Sequence, residues 1–463
     1  MKKILLLLLF PLSLTAQKNI GDQLKQFMTG QHEYFNFNGN ILAAINGKPF
    51  YQESFGYADF NTKRLLNDST VFELASVSKQ FTAMGIIICK EKGLLSYEDK
   101  VKKYLPNFPY ENITIRQLLT HSSGIPDYEQ QFKKNWDHKK IAGNKDVLDV
   151  LINVNDTLAF KPGSKWEYSN TGYAMLALII EKVTEKSYND FLAANIFKPL
   201  GMRHTFVYNT RRTTGKIPDN YALGFGWSDS LKKYILPDED PKADFVYYLD
   251  GIAGDGCVNS TTTDLLKWEN ALQASTLVSK ASTNEMLSPL VQMNAGDTTN
   301  YYGFGVMVQP HTSNGKIVSH TGGWPGYNTY LLNRDKKKET LIVLSNNEKV
   351  SGQIRATLES ILNGEEIIMP YNHKEVKIDS SLIDKYVGKY SAFLTLVFIK
   401  KDGKLYRHRD GTADIELKPE SDTKFFYGDG TDRQIEFIVD PDGKVTKGWF
   451  INTGQKGELK KIQ

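Results

Sequence analysis

The chain has 463 residues, of which 40% are hydrophobic and 24% are charged, and its formal net charge at pH 7 is +4. This length and apolar content allow two or three domains with sizeable cores, and they exclude an intrinsically disordered chain. The nearly balanced charge gives no sign of a nucleic-acid partner. With only Cys89 and Cys257 present, the sequence favours two buried free thiols over a single disulfide. The histidines are scattered and form no ligand pair, so neither a metal nor a cofactor is expected.

The first residues have the pattern of a secretory signal peptide. Lys2 and Lys3 precede an apolar run, residues 4–14, that is too short to span a membrane, and Thr15-Ala16-Gln17 follows. We therefore predict cleavage after Ala16 and an exported protein, either periplasmic or secreted. No later apolar segment is long enough to anchor the mature chain in a membrane.

The elements that follow predict an α+β fold. A strand pair at 40–45 and 50–55 is joined by the hairpin signal Asn46-Gly47. Helical periodicity and later strands then follow in this order: helices at 114–120, 145–154, 172–186 and 262–273, and strands at 305–309, 328–333 and 339–345. We expect the first and last strands to pair in one antiparallel sheet with helices packed on it.

A serine and a lysine three residues apart form the most informative motif. Ser76 and Lys79 lie on one face of a helix, so the amine can reach the hydroxyl. The same spacing occurs at Ser230, Ser313 and Ser421, but only Ser76 opens a long apolar helix. Taken alone, the motif is also compatible with a helix N-cap serine beside a solvated lysine.

A tyrosine and an asparagine precede a second apolar helix. Tyr168 and Asn170 are two residues apart, so a phenol that can carry a proton and an orienting carboxamide can point the same way. The alternative is an Asx-turn that leads into the helix, and the pattern alone does not separate the two.

A histidine and two glycines follow a predicted hairpin with its turn at Asn314-Gly315. The segment His320-Thr321-Gly322-Gly323 occurs once, and glycines at a strand edge let another backbone approach and can supply N–H groups to an oxyanion. The alternative is a bulge with a hydrogen-bonded surface histidine. Trp324, next in the chain, is interpreted either as a substrate wall or as packing.

In this order, the three motifs resemble the serine beta-lactamase and penicillin-binding peptidase superfamily, whose signature is S-x-x-K, then S-D-N or Y-x-N, then K-T-G or H-T-G. Residues 117–126, 200–202 and 256–265 also resemble the family, so the similarity spans about residues 35–350. It implies the transpeptidase-like fold, with the nucleophile between the sheet and a helical subdomain. No S-D-N triplet is present, so the resemblance is closer to the class C and D-alanyl peptidase branch.

The resemblance implies three catalytic residues. Ser76 is the expected acylated nucleophile, and Lys79 is its hydrogen-bonded activator. Tyr168 is expected to pass the proton to the leaving group and later to activate water. Whether the lysine or the phenol is the base stays open.

The resemblance also implies how the substrate is held. Asn170 is expected to contact the acyl amide and Lys79, and the N–H groups of Ser76 and Gly323 are expected to bind the oxyanion. The expected substrate-binding residues are Asn170, His320, Thr321, Gly322 and Gly323. Since His320 replaces the usual lysine, we expect a pH-dependent charge there and weaker capture of a substrate carboxylate.

After a predicted helix near 354–362, the sequence pattern changes from helical periodicity to short strands. Short alternating strands are predicted at 394–399, 405–409, 414–417, 425–427, 435–439 and 445–450. Their spacing predicts a small antiparallel barrel, and Tyr386-Val387-Gly388-Lys389-Tyr390 resembles the start of a lipocalin-like module. The predicted domains are a signal peptide at 1–16, a hydrolase domain at 17–365, a linker at 366–380 and the barrel at 381–463.

We therefore predict an exported serine hydrolase that cleaves amide or ester bonds of small peptide-like substrates, as a D-amino peptidase, carboxypeptidase or esterase. Beta-lactamase activity is an alternative. A second class of function is a non-catalytic sensor that binds cell-wall peptides or penicillin, although the retained reactive groups argue against it.

Overall fold

The computed structural model describes residues 9–462 except 155, 350, 351 and 393, and it describes side chains from residue 19 onward. The chain divides into two compact units. Residues 38–350 form one unit, and residues 351–463 form the other together with the N-terminal segment up to Phe37. Residues 1–8 of the predicted signal peptide lie outside the described residues. The predicted domain boundaries at 365 and 380 stay predictions.

An eight-stranded antiparallel sheet is the centre of the first unit. Its strands, in spatial order, are Val291–Gln292, Tyr301–Tyr302, Met307–Thr312, Gly315–Trp324, Tyr327–Arg334, Glu339–Ser345, Gly39–Ile45 and Lys48–Phe55. The first and last long strands pair as expected, with Leu42 opposite Ile342. Every residue of Glu339–Ser345 is buried, so this strand lies at the core of the unit.

Helices and short sheets complete this unit. Its α-helices are Lys79–Glu91, Ile115–Leu119, Tyr128–Asn135, Asn144–Val154, Asn170–Thr184, Tyr188–Leu192, Arg211–Thr214, Phe245–Tyr248, Thr262–Ala274 and Lys280–Met286. Its other helical segments are Ala75–Ser78, Val101–Lys103, Ala193–Phe197, Pro237–Glu239 and Pro241–Ala243. The short sheets pair Tyr57–Asp59 with Arg64–Leu65, Phe72–Glu73 and Phe206–Val207 with Val258–Ser260, and Gly226–Ser228 with Lys233–Ile235.

Aromatic packing fixes the helix that follows the predicted nucleophile. Phe81 is fully buried, and its ring centroid lies 4.5 Å from that of Trp268 and 5.6 Å from that of Phe197. Trp268 belongs to the helix Thr262–Ala274, which packs against the central strand Glu339–Ser345. The helix Lys79–Glu91 is thereby held in the core, and its first residue has a set position relative to the sheet.

The second unit contains a closed barrel of eight antiparallel strands. They are Gly388–Ser391, Thr395–Lys401, Lys404–His408, Ile415–Pro419, Lys424–Tyr427, Arg433–Val439, Val445–Asn452 and Gln455–Lys461. The predicted antiparallel barrel is confirmed, but the six predicted strands omitted the first and the last. Those two strands close the barrel by pairing Tyr390 with Lys461. The same unit contains the helices Leu9–Phe35 and Gly352–Asn363 and the 3-10 segment Ser380–Tyr386.

Two further observations concern the predicted membrane and thiol chemistry. Within the described part of the chain, no helix combines the length and the apolar character that crossing a bilayer requires. Cys89 is buried and Cys257 is half-buried, and both are free thiols.

Candidate active site

The segment Ala75–Ser78 presents Ser76 at the start of a core helix. It is one turn of 3-10 helix, and the α-helix Lys79–Glu91 continues directly from it. Ala75 has φ of 47°, a left-handed conformation that is uncommon for a residue with a Cβ atom. Such strain next to a reactive residue persists only where surrounding contacts impose it.

Contacts from two other strands impose this conformation. Thr329 Oγ1 donates a 2.8 Å hydrogen bond to the carbonyl of Leu74, and the Leu74 N–H donates to Val258 O at 2.9 Å. Ser78 Oγ accepts the Val258 N–H at 3.0 Å. The Ser76 turn is therefore fixed by the sheet on one side and by the strand Val258–Ser260 on the other.

Lys79 is fully buried, and its ammonium group has three oxygen partners. Nζ lies 2.7 Å from Asn170 Oδ1, 2.8 Å from the carbonyl of Asp255 and 3.3 Å from Ser76 Oγ. Two of these partners can only accept, whereas the serine hydroxyl can also donate. As an ammonium, Lys79 donates to all three; as an amine, it donates to two and can accept the proton of Ser76.

Tyr168 stands over this lysine. Its ring centroid is 4.8 Å from Lys79 Nζ, within the range of a cation–π contact. The residue is 36% exposed, and it borders the same cavity as Ser76. The phenol is thus available to a substrate, while its ring packs on the buried amine.

Asn170 connects the lysine to a carboxyl group. Its Nδ2 donates to Glu129 Oε1 at 2.8 Å, so the amide is held at both ends. Burial, followed by the charges of Asp127 and Asp255, raises the pKa of Glu129 to about 7. Above that pH, a carboxylate accepts the Asn170 N–H, and the strength of this contact depends on pH.

The expected titration of His320 near neutral pH needs a correction. Burial, together with the charge of Lys79, lowers the pKa of His320 to about 3, so the imidazole is neutral and the expected pH-dependent charge is wrong. Nδ1 donates to the carbonyl of Thr321 at 2.6 Å, and Nε2 therefore accepts from Tyr302 Oη at 2.9 Å. The reference pKa of a solvated histidine does not apply here because His320 is only 1% exposed, and burial disfavours the charged imidazole.

The strand Gly315–Trp324 reaches past its neighbour and approaches the turn that contains Ser76. Met307 pairs with Ser319, so residues 320–324 lie beyond the end of the strand Met307–Thr312. A Cβ atom on Gly322 would lie 2.2 Å from the carbonyl of Leu74, so only glycine fits there. Gly323 has open space instead, with Asn328 Nδ2 as the nearest atom at 3.8 Å.

One cavity of about 300 Å³ brings the predicted residues together. Ser76, Tyr168, Asn170 and Gly323 line it, and so does Trp324. The ring of Trp324 also packs edge-on against that of Phe245 at 5.5 Å, so both interpretations of this residue stay open. The other predicted residues are not part of this lining: they are Lys79, His320, Thr321 and Gly322. The cavity volume suits a small substrate.

The other end of the cavity carries charged groups. Arg211 and Arg212 line it and form ion pairs with Asp238 at 3.1 and 2.8 Å. Arg212 also pairs with Asp250 at 2.7 Å. Burial raises the pKa of Glu73, on the same wall, to about 7 against the opposing charge of Arg212. The positive charges are thus largely compensated by neighbouring carboxylates.

Two participants were not identified from the sequence. Asp255 acts through a backbone carbonyl, which no side-chain pattern can mark. Glu129 lies in the polar helix Tyr128–Asn135 and has no local signal that separates it from its neighbours. Their proximity to Asn170 and Lys79 arises only from the fold.

Comparison with known proteins agrees with this geometry. A sequence model of the family described as Beta-lactamase matches residues 37–362. Penicillin-binding protein 4* of Bacillus subtilis (strain 168) is 44% identical over 422 residues, which cover 89% of this chain and 92% of that protein.

Solved structures show the same fold. The penicillin binding protein from Bacillus halodurans is 26% identical, with a TM-score of 0.63 over 72% of this chain and 98% of its own. The D-amino acid amidase from Ochrobactrum anthropi SV3 is 23% identical, with a TM-score of 0.60 over 76% of this chain and 98% of its own. Ser76, Tyr168 and Asn170 line one cavity, and Lys79 contacts the first and the last of them; the chain belongs to the Beta-lactamase family and is a serine hydrolase.

Proposed function

We propose that the protein forms an acyl-enzyme at Ser76 and hydrolyses an amide or ester bond in small peptide-like substrates that carry D-amino acids. The position of Lys79 is the observation that supports this most strongly. Its amine contacts the Ser76 hydroxyl while Asn170 and the Asp255 carbonyl hold it in place. An adjacent base that is itself oriented by further groups is the arrangement that activates a serine.

In the proposed acylation step, Ser76 Oγ bonds to the substrate carbonyl carbon and its proton passes to Lys79 or Tyr168. The carbonyl oxygen becomes an oxyanion, for which the N–H groups of Ser76 and Gly323 are the proposed donors. Both residues line the cavity. Loss of one such donor reduces turnover by about 100- to 1,000-fold in other serine hydrolases.

Collapse of this intermediate breaks the bond to the leaving amine or alcohol, which takes a proton from the same lysine and tyrosine pair. A water molecule then attacks the acyl carbon and gives its proton to that pair, and Ser76 recovers its own proton as the acid departs. Tyr168 suits the transfers to and from groups in the cavity because its side chain is partly exposed, whereas Lys79 is enclosed.

The charge at the third motif bears on the substrate. Since His320 is neutral and both its nitrogens have protein partners, this strand offers no cation there for a substrate carboxylate. We therefore expect neutral amides and esters to be better substrates than compounds with a free carboxylate next to the cleaved bond. The relative from Bacillus subtilis is named a penicillin-binding protein, which supports a peptide-like substrate and keeps beta-lactams as an alternative.

We also propose that the protein is exported after cleavage behind Ala16. The basic start and short apolar run support this. Mass determination of the mature protein from culture fractions tests it, and a chain found only inside the cell with Met1 intact would contradict it.

Active-site labelling tests the acyl-enzyme. Purified protein is incubated with a fluorescent fluorophosphonate ester and, separately, with a fluorescent penicillin. We expect Ser76→Ala to abolish labelling, and Ser230→Ala to leave it unchanged, because Ser230 begins another S-x-x-K sequence on an exposed turn. Absence of Ser76-dependent labelling by either probe would support the sensor function instead.

A substrate panel then separates the activities. Rates are compared for D-alanyl peptides ending in an amide, an ester or a free carboxylate, for their L counterparts, and for a chromogenic cephalosporin. We expect the neutral D-substrates to be cleaved fastest. A preference for the free carboxylate would overturn the assignment based on His320, and fast cephalosporin turnover would indicate a beta-lactamase.

A further inference from the structure

His121 makes two hydrogen bonds that enclose Tyr168 in the chain. Its carbonyl accepts the N–H of Glu167 at 2.9 Å, and its ring Nδ1 accepts the N–H of Ser169 at 3.1 Å. One residue therefore fixes the backbone immediately before and immediately after the phenol. Among the described hydrogen bonds, both backbone N–H groups that flank Tyr168 donate to His121.

The ring of His121 also packs on the ring of Tyr168. Their centroids are 4.3 Å apart at an angle of 39°, and the ring of Tyr302 also packs on His121, with a centroid distance of 4.5 Å. His121 is fully buried, so these rings have little room to shift. Backbone and side chain of Tyr168 are thus held by the same residue.

The protonation state of His121 suits this role. Burial, followed by the charge of Lys79, holds the pKa of His121 well below its usual range. The ring is therefore neutral, and because Nδ1 accepts the Ser169 N–H, the proton is on Nε2. Nε2 is buried and has no hydrogen-bond partner among the described residues.

Two unfavourable features of His121 are tolerated at this position. Its φ is 55°, in the left-handed region, and its buried Nε2–H donor lacks a partner. A buried donor without a partner destabilises a fold, because its lost hydrogen bonds to water are not replaced. Such features persist where a residue has a role other than stability.

The hydrogen bond also reaches the next catalytic element. Ser169, whose N–H binds His121, caps the helix Asn170–Thr184 by accepting the Gly172 N–H at 3.1 Å. The first residue of that helix is Asn170, the partner of Lys79. A shift of Ser169 would therefore move Tyr168 and the start of the Asn170 helix together.

We propose that His121 is a positioning residue that sets the phenol of Tyr168 over Lys79 through its Nδ1 acceptor and its ring. The inference rests on the proposed acyl-enzyme function and adds to it a residue outside the cavity lining. A misplacement of about 1 Å at a reacting group can reduce a rate by about 100-fold, so the effect is measurable.

Two substitutions separate the acceptor from the bulk of the side chain. In His121→Asn, Oδ1 takes the place of Nδ1 and asparagine tolerates positive φ. His121→Leu keeps volume but has no acceptor. We expect acylation by the fluorophosphonate ester to fall about 100-fold in His121→Leu and by less than about tenfold in His121→Asn. Equal losses in the two variants would overturn the role of the acceptor.

A double-mutant cycle with Tyr168→Phe distinguishes positioning from general destabilisation. If His121 acts through the phenol, His121→Leu should slow acylation by less than about threefold once that hydroxyl is absent. Additive losses would overturn the proposal, and thermal unfolding of each variant shows whether the chains are folded. If the wild type is not labelled at Ser76, the proposed function fails; if it is labelled and His121→Leu reacts equally fast, only this inference fails.

Discussion

Lys79 Nζ lies 2.7 Å from Asn170 Oδ1, although the two residues are 91 positions apart in the chain. The asparagine amide is held on its other side by Glu129, so it can keep the amine close to Ser76. Orientation of the Lys79 amine therefore depends on a residue from a different helix.

We expect Asn170→Leu to slow acylation of Ser76 by about 10- to 100-fold, because a hydrogen bond to a charged group contributes about 1.5–3 kcal/mol. The leucine has similar size but no acceptor for Lys79. Stopped-flow labelling with the fluorophosphonate ester measures the rate. Asn135→Leu, at the exposed end of the helix Tyr128–Asn135, is the matched control. A loss below threefold at position 170 would show that the Asp255 carbonyl suffices.

Glu129 predicts a pH effect on catalysis. With its pKa raised to about 7, it is mainly protonated below that pH and anionic above it. Only the anion accepts the Asn170 N–H strongly, so kcat/KM of the wild type should rise between about pH 6 and 8. Glu129→Gln removes the ionisation, and we expect its profile to be flatter across this range.

Profiles of kcat/KM against pH for the two proteins measure this effect. Glu111→Gln is the control, since Glu111 is an exposed surface residue paired with Lys102. If Glu129→Gln keeps the inflection near pH 7, another group causes it, and Glu73 on the cavity wall would be the next residue to replace.

Gly322 predicts a steric effect. In Gly322→Ala, the new Cβ would collide with Leu74 O and Thr329 Oγ1, both at 2.2 Å, and would push the strand away from the nucleophile turn. We expect a stability loss of about 1–3 kcal/mol and at least a tenfold slower acylation. Gly323→Ala has space and retains its N–H, so its stability should match that of the wild type. Urea unfolding and labelling of both variants test this, and equal stability of the two would contradict it.

Glu269 predicts a pH effect on stability. It is 5% exposed, and burial raises its pKa to about 8. Because the folded pKa exceeds the unfolded value, the native state binds the proton more tightly, and stability falls as pH rises from about 4.5 to about 8. Glu269→Gln should thus be more stable than the wild type at pH 9, by up to about 5 kcal/mol, and similar to it at pH 4.5. Urea unfolding at both pH values measures the difference, and an equal change at both would point to packing instead.

The barrel shows how far strand patterns can be followed in a sequence. Six strands were predicted because apolar residues alternate along them and Asp-Gly turns separate them. The closing strand Gln455–Lys461 was missed because Leu459 is its one buried residue and the rest is polar. Its place in the barrel comes from backbone pairing with Val445–Asn452, and such pairing leaves no periodic pattern in the sequence.

In the candidate site, too, local patterns predicted some features, and contacts between distant residues fixed the others. Local spacing places Ser76 and Lys79 on one turn, and the start of the helix at Asn170 was predicted within two residues. His121 was not singled out from the sequence, since its hydrogen bond with Ser169 joins positions 48 residues apart. Long-range hydrogen bonds of this kind depend on packing, which no local pattern specifies.

The sequence by itself determined the chemical groups of this protein and their order: an alcohol, an amine, a phenol, a carboxamide and a glycine-rich strand. These follow from residue identity and from helical or strand periodicity, which are local properties. Only the tertiary structure decided that Asp255 and Asn170 hold Lys79, that His320 is neutral, and that Glu129 titrates near neutrality. Contacts between distant segments hold Lys79, and burial changes the free energy of the charged forms of His320 and Glu129. Both the contacts and the burial exist only in the folded chain.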